Sequence, residues 1–208
     1  MLLYQSIEAK TLELLNKLMQ IEAFAPLRLV GGTSLALQIG HRISVDIDLF
    51  GTLAIDEYEL SKTLKDIGSI TLLNQTQNIH IYLIDGIKVD IVNYPYPWLE
   101  TPMVENNIRL ASKKDIAAMK IAAITNRGSK KDFIDIAFLL NEYTLKQIIE
   151  FYISKFSDAS EILALKSLTY FDDAENEENP KMLIHYDWNN IKKDIAESVK
   201  KYIDGLKE

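Results

Sequence analysis

The sequence predicts an α+β protein in which a mixed β-sheet lobe with flanking helices, residues 1–104, precedes a helical lobe, residues 105–208. Runs with apolar residues at every second position, and an Asp85-Gly86 turn between two of them, lie in the first half. Apolar stripes of helical period fill the chain after Ser112. With 208 residues, 48% of them apolar and 25% charged, the composition is that of a globular protein with a buried core.

The elements of the first half are read from apolar spacing, helix caps and turn residues. In order, we predict a helix over 7–21, a strand over 27–30, a short helix capped by Thr33 or Ser34, a strand over 44–50, a helix over 55–67 and strands over 70–73, 79–84 and 87–94. In the strand over 44–50, Val45 and the other apolar residues share one face, and Asp46 and Asp48 share the other.

The second half is predicted to be helical throughout, apart from one acidic segment. Helices are predicted over 112–126, 130–140, 144–156, 159–168 and 187–204. Residues 172–180 hold five acidic side chains and no basic one, so we predict a solvated loop there.

Composition also excludes several classes of protein. The chain has no cysteine, which excludes a disulfide scaffold and a thiolate metal site and fits a reducing compartment. No apolar run approaches the ~18 residues that span a membrane, and Glu8 and Lys10 interrupt the apolar start of the chain. We therefore expect a cytoplasmic protein with no membrane partner.

The net charge of −7 disfavours nucleic acid as a partner when it is taken as a sum. The charge is unevenly distributed, however. Residues 113–131 hold six basic side chains and one acidic side chain, whereas residues 171–180 are purely acidic. This distribution permits a polyanionic acceptor such as RNA.

Asp46 and Asp48 are the first candidate site residues. They lie two apart on a predicted strand, so both side chains project from one face. Adjacent carboxylates repel one another unless a cation lies between them, and Mg²⁺ takes carboxylate oxygens together with substrate phosphates. The alternative is a solvent-exposed polar face of an edge strand, which is the commoner explanation of an isolated Asp-x-Asp.

Upstream lies Gly31-Gly32-Thr33-Ser34, at a predicted strand-to-helix junction. Backbone N–H groups at a helix N-terminus, approached closely over glycine, suit the phosphates of a nucleoside triphosphate. The alternative is a tight turn with a threonine cap, without a ligand.

Between the glycines and the acidic pair lies a polar segment. Arg42 has the bidentate geometry for phosphate, and Ser44 faces the same side of the strand as Asp46. For Arg42 and the neighbouring His41, the alternative is a solvated loop.

Asp90 is the candidate third carboxylate. If its strand neighbours that of Asp46 and Asp48, the three acids could hold two metal ions. The alternative is a carboxylate paired to Lys88 or to an arginine.

In the helical half, Lys120 and Arg127 share a helix face, as do Asp132 and Asp135. One hypothesis is that the two cations neutralise triphosphate charge while the two acids orient them or a metal-bound water. The alternative is a pair of helices with ordinary salt bridges.

Two segments resemble the signature motifs of the AbiEii/AbiGii nucleotidyltransferase toxin family. The first is Gly31-Gly32-Thr33-Ser34-Leu35-Ala36-Leu37 followed by Gly40-His41-Arg42-Ile43-Ser44-Val45-Asp46-Ile47-Asp48-Leu49-Phe50. The second runs from Asp115-Ile116-Ala117-Ala118-Met119-Lys120 through Arg127 to Lys131-Asp132-Phe133-Ile134-Asp135. The resemblance covers roughly residues 25–170.

The resemblance implies a fold of the DNA polymerase β-like nucleotidyltransferase superfamily. There a Gly-Ser pair and an Asp-x-Asp hold the nucleotide and Mg²⁺, and a later strand adds a third carboxylate. In this sequence, Gly32 with Thr33 or Ser34 matches the first feature, with threonine where serine is usual. Asp46 and Asp48 match the second feature and Asp90 the third.

The resemblance further implies a Mg²⁺-dependent transfer of a nucleoside monophosphate from a nucleoside triphosphate to an acceptor hydroxyl. Family members are toxins of toxin–antitoxin or phage-defence (abortive infection) systems, often encoded beside an antitoxin, and some are implicated in adding nucleotides to transfer RNA. A protein hydroxyl and a small aminoglycoside-like molecule are alternative acceptors. Two other hypotheses are a non-catalytic nucleotide-binding or regulatory protein of the same fold, and a Mg²⁺-dependent glycosyl or phosphoryl transferase.

Overall fold

The computed structural model describes residues 1–206, which form two compact units. The sheet unit comprises residues 1–95 and 102–111, and the helical unit comprises residues 96–101 and the chain from residue 112 onward. The predicted α+β class is therefore confirmed. Among the described helices, none combines the length and the apolar character needed to cross a bilayer.

The sheet unit is built on a mixed sheet of seven strands within residues 1–206. The strands are β1 (Arg28–Leu29), β2 (Ile47–Gly51), β3 (Ile70–Gln75), β4 (Ile79–Ile84), β5 (Ile87–Asn93), β6 (Met103–Glu105) and β7 (Ile108–Leu110), and their order is β3-β4-β5-β2-β1-β7-β6. β2 runs parallel to β5 and antiparallel to β1, and β1 runs parallel to β7. The predicted Asp85-Gly86 hairpin joins β4 and β5, with both residues at positive φ.

Three α-helices belong to the sheet unit, namely α1 (Ala9–Met19), α2 (Gly31–Ile39) and α3 (Glu57–Lys65). The hydrophobic core joins buried leucines of α1 and α3 to the inward side chains of the central strands. These strand residues include Leu29, Ile47, Leu49, Val89 and Ile91. Burial alternates along β2, so its intervening residues, Asp48 among them, lie on the opposite face.

Arg109 of β7 holds the connection between α1 and β1 in place. Its three guanidinium nitrogens each donate to a backbone carbonyl at 3.1 Å, those of Met19, Phe24 and Leu27. Burial lowers the pKa of this guanidinium from its ordinary value. A planar fork with several donors suits this role, because one side chain binds three carbonyls between the end of α1 and the start of β1.

The helical unit contains the remaining α-helices of the described chain. They are α4 (Lys113–Asn126), α5 (Lys130–Leu139), α6 (Leu145–Lys155), α7 (Glu161–Leu168), α8 (Asp172–Glu175) and α9 (Trp188–Gly205). α4 packs against α5, α6 and α7, and α9 packs against the same three helices. Ser112 caps α4 by accepting from the Asp115 amide, and Thr144 opens α6 with a capping box.

A buried ion pair ties residues 96–101 to the helices of this unit. Lys155 Nζ lies 2.7 Å from Asp115 Oδ1 and donates to the Pro97 carbonyl at 2.7 Å. Asp115 also accepts from the Leu99 amide at 2.9 Å and from the Ser112 hydroxyl at 2.7 Å. Both charged side chains are fully buried, so each depends on the other for compensation.

Several element predictions were wrong. α2 begins at Gly31 with Val30 as its N-cap residue and no side-chain cap bond, so the predicted cap at Thr33 or Ser34 is incorrect. Both of those residues are instead buried inside the helix. Val45 is 50% exposed rather than part of the apolar face, because β2 begins only at Ile47.

Three further differences lie after residue 102. The hairpin of β6 and β7 was not predicted, and the predicted boundary between residues 104 and 105 falls inside β6. The acidic segment over 172–180 begins with α8 rather than being a loop throughout. Its Glu175 and Glu177 contact lysines of the same unit, and these contacts give the segment a structural role.

Candidate active site

The acidic pair lies where β2 begins and next to a third carboxylate. Asp46 immediately precedes β2, and Asp48 is its second residue. In the parallel pairing of β2 with β5, Asp48 lies directly opposite Asp90. The condition for a carboxylate cluster, that the two strands are neighbours, is therefore met, and Asp48 and Asp90 share one face of the sheet.

Asp90 is held by a neighbour on its own strand. Lys88 Nζ lies 2.7 Å from each of the two carboxylate oxygens of Asp90. Among the side chains of residues 1–206, no group of three His, Asp or Glu is arranged to hold a metal ion. Asp90 therefore lies beside Asp48 and is paired to Lys88, which is one of the alternatives that the sequence left open. The three-carboxylate metal cluster remains a prediction.

The glycine turn lies directly against Asp48. The Val30 amide donates to the Asp48 carbonyl at 2.9 Å, which extends the pairing of β1 with β2 up to the turn. Gly31 then adopts a left-handed φ of +67°, and a Cβ added there would lie 2.2 Å from Asp48 Oδ2. Only glycine fits this position without displacing the carboxylate.

The second glycine of the turn lies against a buried arginine. A Cβ on Gly32 would lie 2.1 Å from Arg42 Nη2. Arg42 is 3% exposed and donates to the Ile43 carbonyl at 3.2 Å, and the neighbouring His41 is fully buried. The alternative of a solvated loop at these two residues is therefore wrong.

Because α2 is nine residues long and has no side-chain N-cap bond, its first turn presents backbone N–H groups and the positive end of the helix dipole. The guanidinium of Arg42 lies at the same end of the helix. Two positive features at one place favour an anion there.

The side-chain hydroxyl groups of Thr33, Ser34 and Ser44 form hydrogen bonds that stabilise the glycine turn. Thr33 Oγ1 donates to the Asp46 carbonyl and lies 2.9 Å from Ser44 Oγ. Ser34 Oγ accepts from Gln38 Nε2 at 3.2 Å. All three hydroxyl residues are buried, while Gly31 and Gly32 remain partly exposed. The accessible surface of the turn is thus glycine backbone, and the predicted phosphate contacts of Thr33, Ser34 and Ser44 stay predictions.

The donor set fits a hard divalent cation. Asp46 and Asp48 are both partly exposed, one just before β2 and one within it. Gly31 places no side chain against the Asp48 carboxylate. Mg²⁺ in proteins is commonly held by one or two carboxylates together with substrate phosphates. Two carboxylates beside a helix N-terminus, whose dipole favours anions, meet that requirement.

The second motif forms a buried cluster in the helical unit. Lys120 Nζ lies 2.8 Å from Asp132 Oδ1 and 2.5 Å from Asp135 Oδ2, and both acids are fully buried. Arg127, whose side chain is 64% exposed, places Nε 3.0 Å from Asp132 Oδ2. Ser129, which the sequence analysis missed, donates to Asp132 at 2.6 Å. A serine three residues before an aspartate at a helix start was the available signal.

The pKa of Asp132 predicts how stability depends on pH. Burial by itself raises this pKa, but the charge of Lys120 and the hydrogen bonds and charge of Arg127 outweigh burial and lower it to about 2. A lowered carboxyl pKa contributes stability above the unfolded-state pKa, and this contribution is lost as the pH falls towards 2. We expect wild type to lose about 2 kcal/mol more than Asp132→Asn between pH 5 and pH 2.

Urea unfolding at several pH values measures this difference, with Asp158→Asn, an exposed change in the same unit, as the control. Parallel pH profiles for wild type and Asp132→Asn would contradict the lowered pKa.

Most basic side chains of residues 113–131 contact other groups of the helical unit. Lys113 contacts Glu142, and Lys114 lies 2.7 Å from Glu100. Lys130, which is 5% exposed, donates through its amide to Glu177 at 2.8 Å and through its ammonium to the Glu177 carbonyl. Lys131 is exposed. The excess of positive charge read from the sequence is therefore largely compensated by acids outside that segment, which weakens the charge-based case for RNA.

Comparison with known proteins shows the family of this chain. The family model described as "Nucleotidyl transferase AbiEii toxin, Type IV TA system" matches residues 13–205. A protein of Aquifex aeolicus described as uncharacterized, aq_aa25, is 34% identical over 198 residues, which cover 92% of this chain and 95% of that protein.

Two solved structures share the fold at low sequence identity. JHP933 from Helicobacter pylori has a TM-score of 0.60 at 17% identity, over 98% of this chain and 100% of that one. MenT4, a nucleotidyltransferase toxin from Mycobacterium tuberculosis, has a TM-score of 0.59 at 13% identity, over 90% and 80% of the two chains. The family expected from the two motifs is confirmed, and with it the expectation of a nucleotidyltransferase. Since the family model spans most of the chain, the protein belongs to the nucleotidyl transferase AbiEii toxin family.

Proposed function

We propose that the protein transfers a nucleoside monophosphate from a nucleoside triphosphate to an acceptor hydroxyl in a Mg²⁺-dependent reaction. The observation that carries the proposal is the contact between the glycine turn and Asp48, where a Cβ on Gly31 would lie 2.2 Å from the carboxylate. This contact brings an anion-binding helix end and a carboxylate together without an intervening side chain. A triphosphate and a hard cation need these two groups side by side.

Different residues of the sheet unit would bind the phosphates and the metal ion. The backbone of Gly31 and Gly32 at the start of α2, with Arg42 beside it, would bind the phosphates. Asp46 and Asp48 would hold Mg²⁺, which when bound supplies Lewis-acid stabilisation of phosphate charge. Thr33 keeps the turn and the Asp46 backbone in a fixed relation through its hydrogen bond. Transfer then depends chiefly on positioning and electrostatics.

The roles of Lys120 and Arg127 in neutralising phosphate charge, and of Asp132 and Asp135 in orienting them, are part of the same proposal. Asp132 and Asp135 hold Lys120 between them, and Asp132 also holds Arg127. Because these ion pairs already restrict the conformations of Lys120 and Arg127, the two side chains would lose less conformational entropy on binding a phosphate.

We further propose that the protein acts as the toxin of a toxin–antitoxin or phage-defence pair in the cytoplasm, with an antitoxin protein as partner. The description of the family as a type IV system supports this role. Among acceptors, RNA, and transfer RNA in particular, is the first to test, because family resemblance rather than surface charge favours it.

Asp48→Asn is expected to reduce transfer at least about 1,000-fold, because the neutral amide keeps the shape but removes a metal-binding charge. The measurement is incorporation of label from each of the four α-³²P nucleoside triphosphates into total RNA and total protein, with and without Mg²⁺. Asp66→Asn, an exposed aspartate of the same unit, is the matched control and should keep wild-type incorporation. Incorporation that survives Asp48→Asn would refute the proposal.

A further inference from the structure

We infer that a pocket of the helical unit binds one nucleotide, with its phosphate at Arg127 and Lys166, its ribose at Asp173 and its base against Tyr170. These four residues line a pocket of about 340 Å³ where α4 and α7 end and α8 begins. Pockets of this size commonly take small ligands. The inference rests on the proposed function, because Arg127 is one of the cations that would neutralise phosphate charge. Neither sequence motif includes the other three residues.

The first support is the way in which Arg127 is held. Arg127 Nε lies 3.0 Å from Asp132 Oδ2, and Nη2 donates to Asp132 Oδ1 at 3.4 Å. Asp132 is fully buried and also accepts from Lys120 and Ser129. The Arg127 side chain, by contrast, is 64% exposed. A buried carboxylate therefore restricts the guanidinium while most of that side chain stays accessible, which lowers the entropy cost of binding phosphate oxygens.

The second support is a pair of opposite charges that do not neutralise each other. Lys166 and Asp173 both line the pocket, and both are exposed. In residues 1–206, neither of them forms an ion pair, with the other or with any other charged side chain. The pocket thus offers an ammonium that can donate to a phosphate and a carboxylate that can accept from the hydroxyl groups of a ribose.

The third support is an aromatic ring beside these charges. Tyr170 lies two residues after the end of α7 and is 53% exposed. An exposed ring can stack on any nucleobase, because every base has a flat π face. A simple anion would use only the two cations, and an apolar ligand would use only the ring. Phosphate, ribose and base together match all four side chains, so a nucleotide is the class of ligand that the lining favours.

A nucleotide with this chemistry has two sources in the proposed reaction, the nucleoside triphosphate and an RNA acceptor. The test measures the affinity for each of them without turnover, in the presence of Mg²⁺. Non-hydrolysable α,β-methylene analogues of the four nucleoside triphosphates are titrated into the full chain and followed by isothermal titration calorimetry. A fluorescein-labelled single-stranded RNA of mixed sequence is titrated separately and followed by fluorescence anisotropy.

Lys166→Met and Tyr170→Leu are each expected to weaken binding of the same probe at least about 5-fold, through loss of a phosphate contact and of base stacking respectively. Lys166→Arg keeps the charge and Tyr170→Phe keeps the ring, so both should bind as wild type does. Lys181→Met, an exposed change outside the pocket in the same unit, is the matched control. Thermal unfolding of each variant shows that it is folded before it is titrated.

The outcomes separate the two sources, and they separate the inference from the proposed function. Weaker binding of a triphosphate analogue would place the substrate nucleotide in the pocket, whereas weaker binding of the RNA would place the acceptor there. Unchanged affinity for both probes in Lys166→Met and Tyr170→Leu, or an equal loss in Lys181→Met, would overturn the inference alone. Transfer activity that survives Asp48→Asn, together with weaker binding by the pocket variants, would overturn the proposed function alone. If wild type bound neither probe, both would fail.

Discussion

Gly31→Ala is expected to reduce nucleotidyl transfer by at least about 100-fold while leaving the protein folded. The new Cβ would lie 2.2 Å from Asp48 Oδ2, so the carboxylate or the turn must move by more than an ångström. Displacing a positioned group by about that distance costs on the order of 100-fold in rate. The measurements are incorporation of α-labelled nucleotide and the midpoint of thermal unfolding.

Gly86→Ala is the matched control for the backbone. Gly86 also has a left-handed φ, +84°, but a Cβ there would meet nothing within 4 Å. Both variants therefore incur the cost of alanine at positive φ, of roughly 1–2 kcal/mol, whereas only Gly31→Ala disturbs Asp48. Equal transfer by the two variants would contradict the view that the contact with Asp48 positions the site.

Lys155→Met is expected to lower the free energy of unfolding of the helical unit by about 3–5 kcal/mol. The change removes one partner of a fully buried ion pair and leaves the Asp115 carboxylate without its ammonium. It also leaves the Pro97 carbonyl without its donor and removes the cation 4.5 Å from the centre of the Trp98 ring. Urea unfolding followed by far-ultraviolet circular dichroism measures the loss.

Two further variants test the cause of that loss. Lys146→Met is the control on the same helix, because Lys146 is exposed, and it should change the free energy of unfolding by less than about 0.5 kcal/mol. Asp115→Asn combined with Lys155→Met should cost less than the sum of the single changes, because no unpaired charge is then buried. Additive losses would show that packing of the lysine stem, rather than the ion pair, provides the stability.

Local patterns predicted the strand that carries Asp48, because that prediction needs only the alternation of apolar and polar residues. β2 runs from Ile47, and Asp48 lies on the face opposite its buried residues, as predicted. The α+β class followed in the same way from strand and helix periods. The helices after Ser112 also begin close to the predicted positions, since serine and threonine caps mark them.

Predictions that depended on distant partners were the ones that failed. The start of α2 was misplaced because Val30 extends the pairing of β1 with β2 up to the turn, and Thr33 bonds to the Asp46 backbone rather than capping the helix. The β6–β7 hairpin was missed because its strands have only three residues each, and β7 is stabilised by pairing with the distant β1. The basic segment appeared to offer free positive charge because its acidic partners lie elsewhere in the sequence.

The sequence by itself determined the family, the α+β class and the residue types of the candidate site, because motifs and periodicity are local properties of the chain. Tertiary structure decided which groups meet. Strand register places Asp90 beside Asp48, and the same strand carries the Lys88 that neutralises it. Packing of the chain brings Asp48 close to Gly31 and Arg42 close to Gly32. Such contacts depend on the pairing of segments tens of residues apart, and short-range spacing carries no record of that pairing.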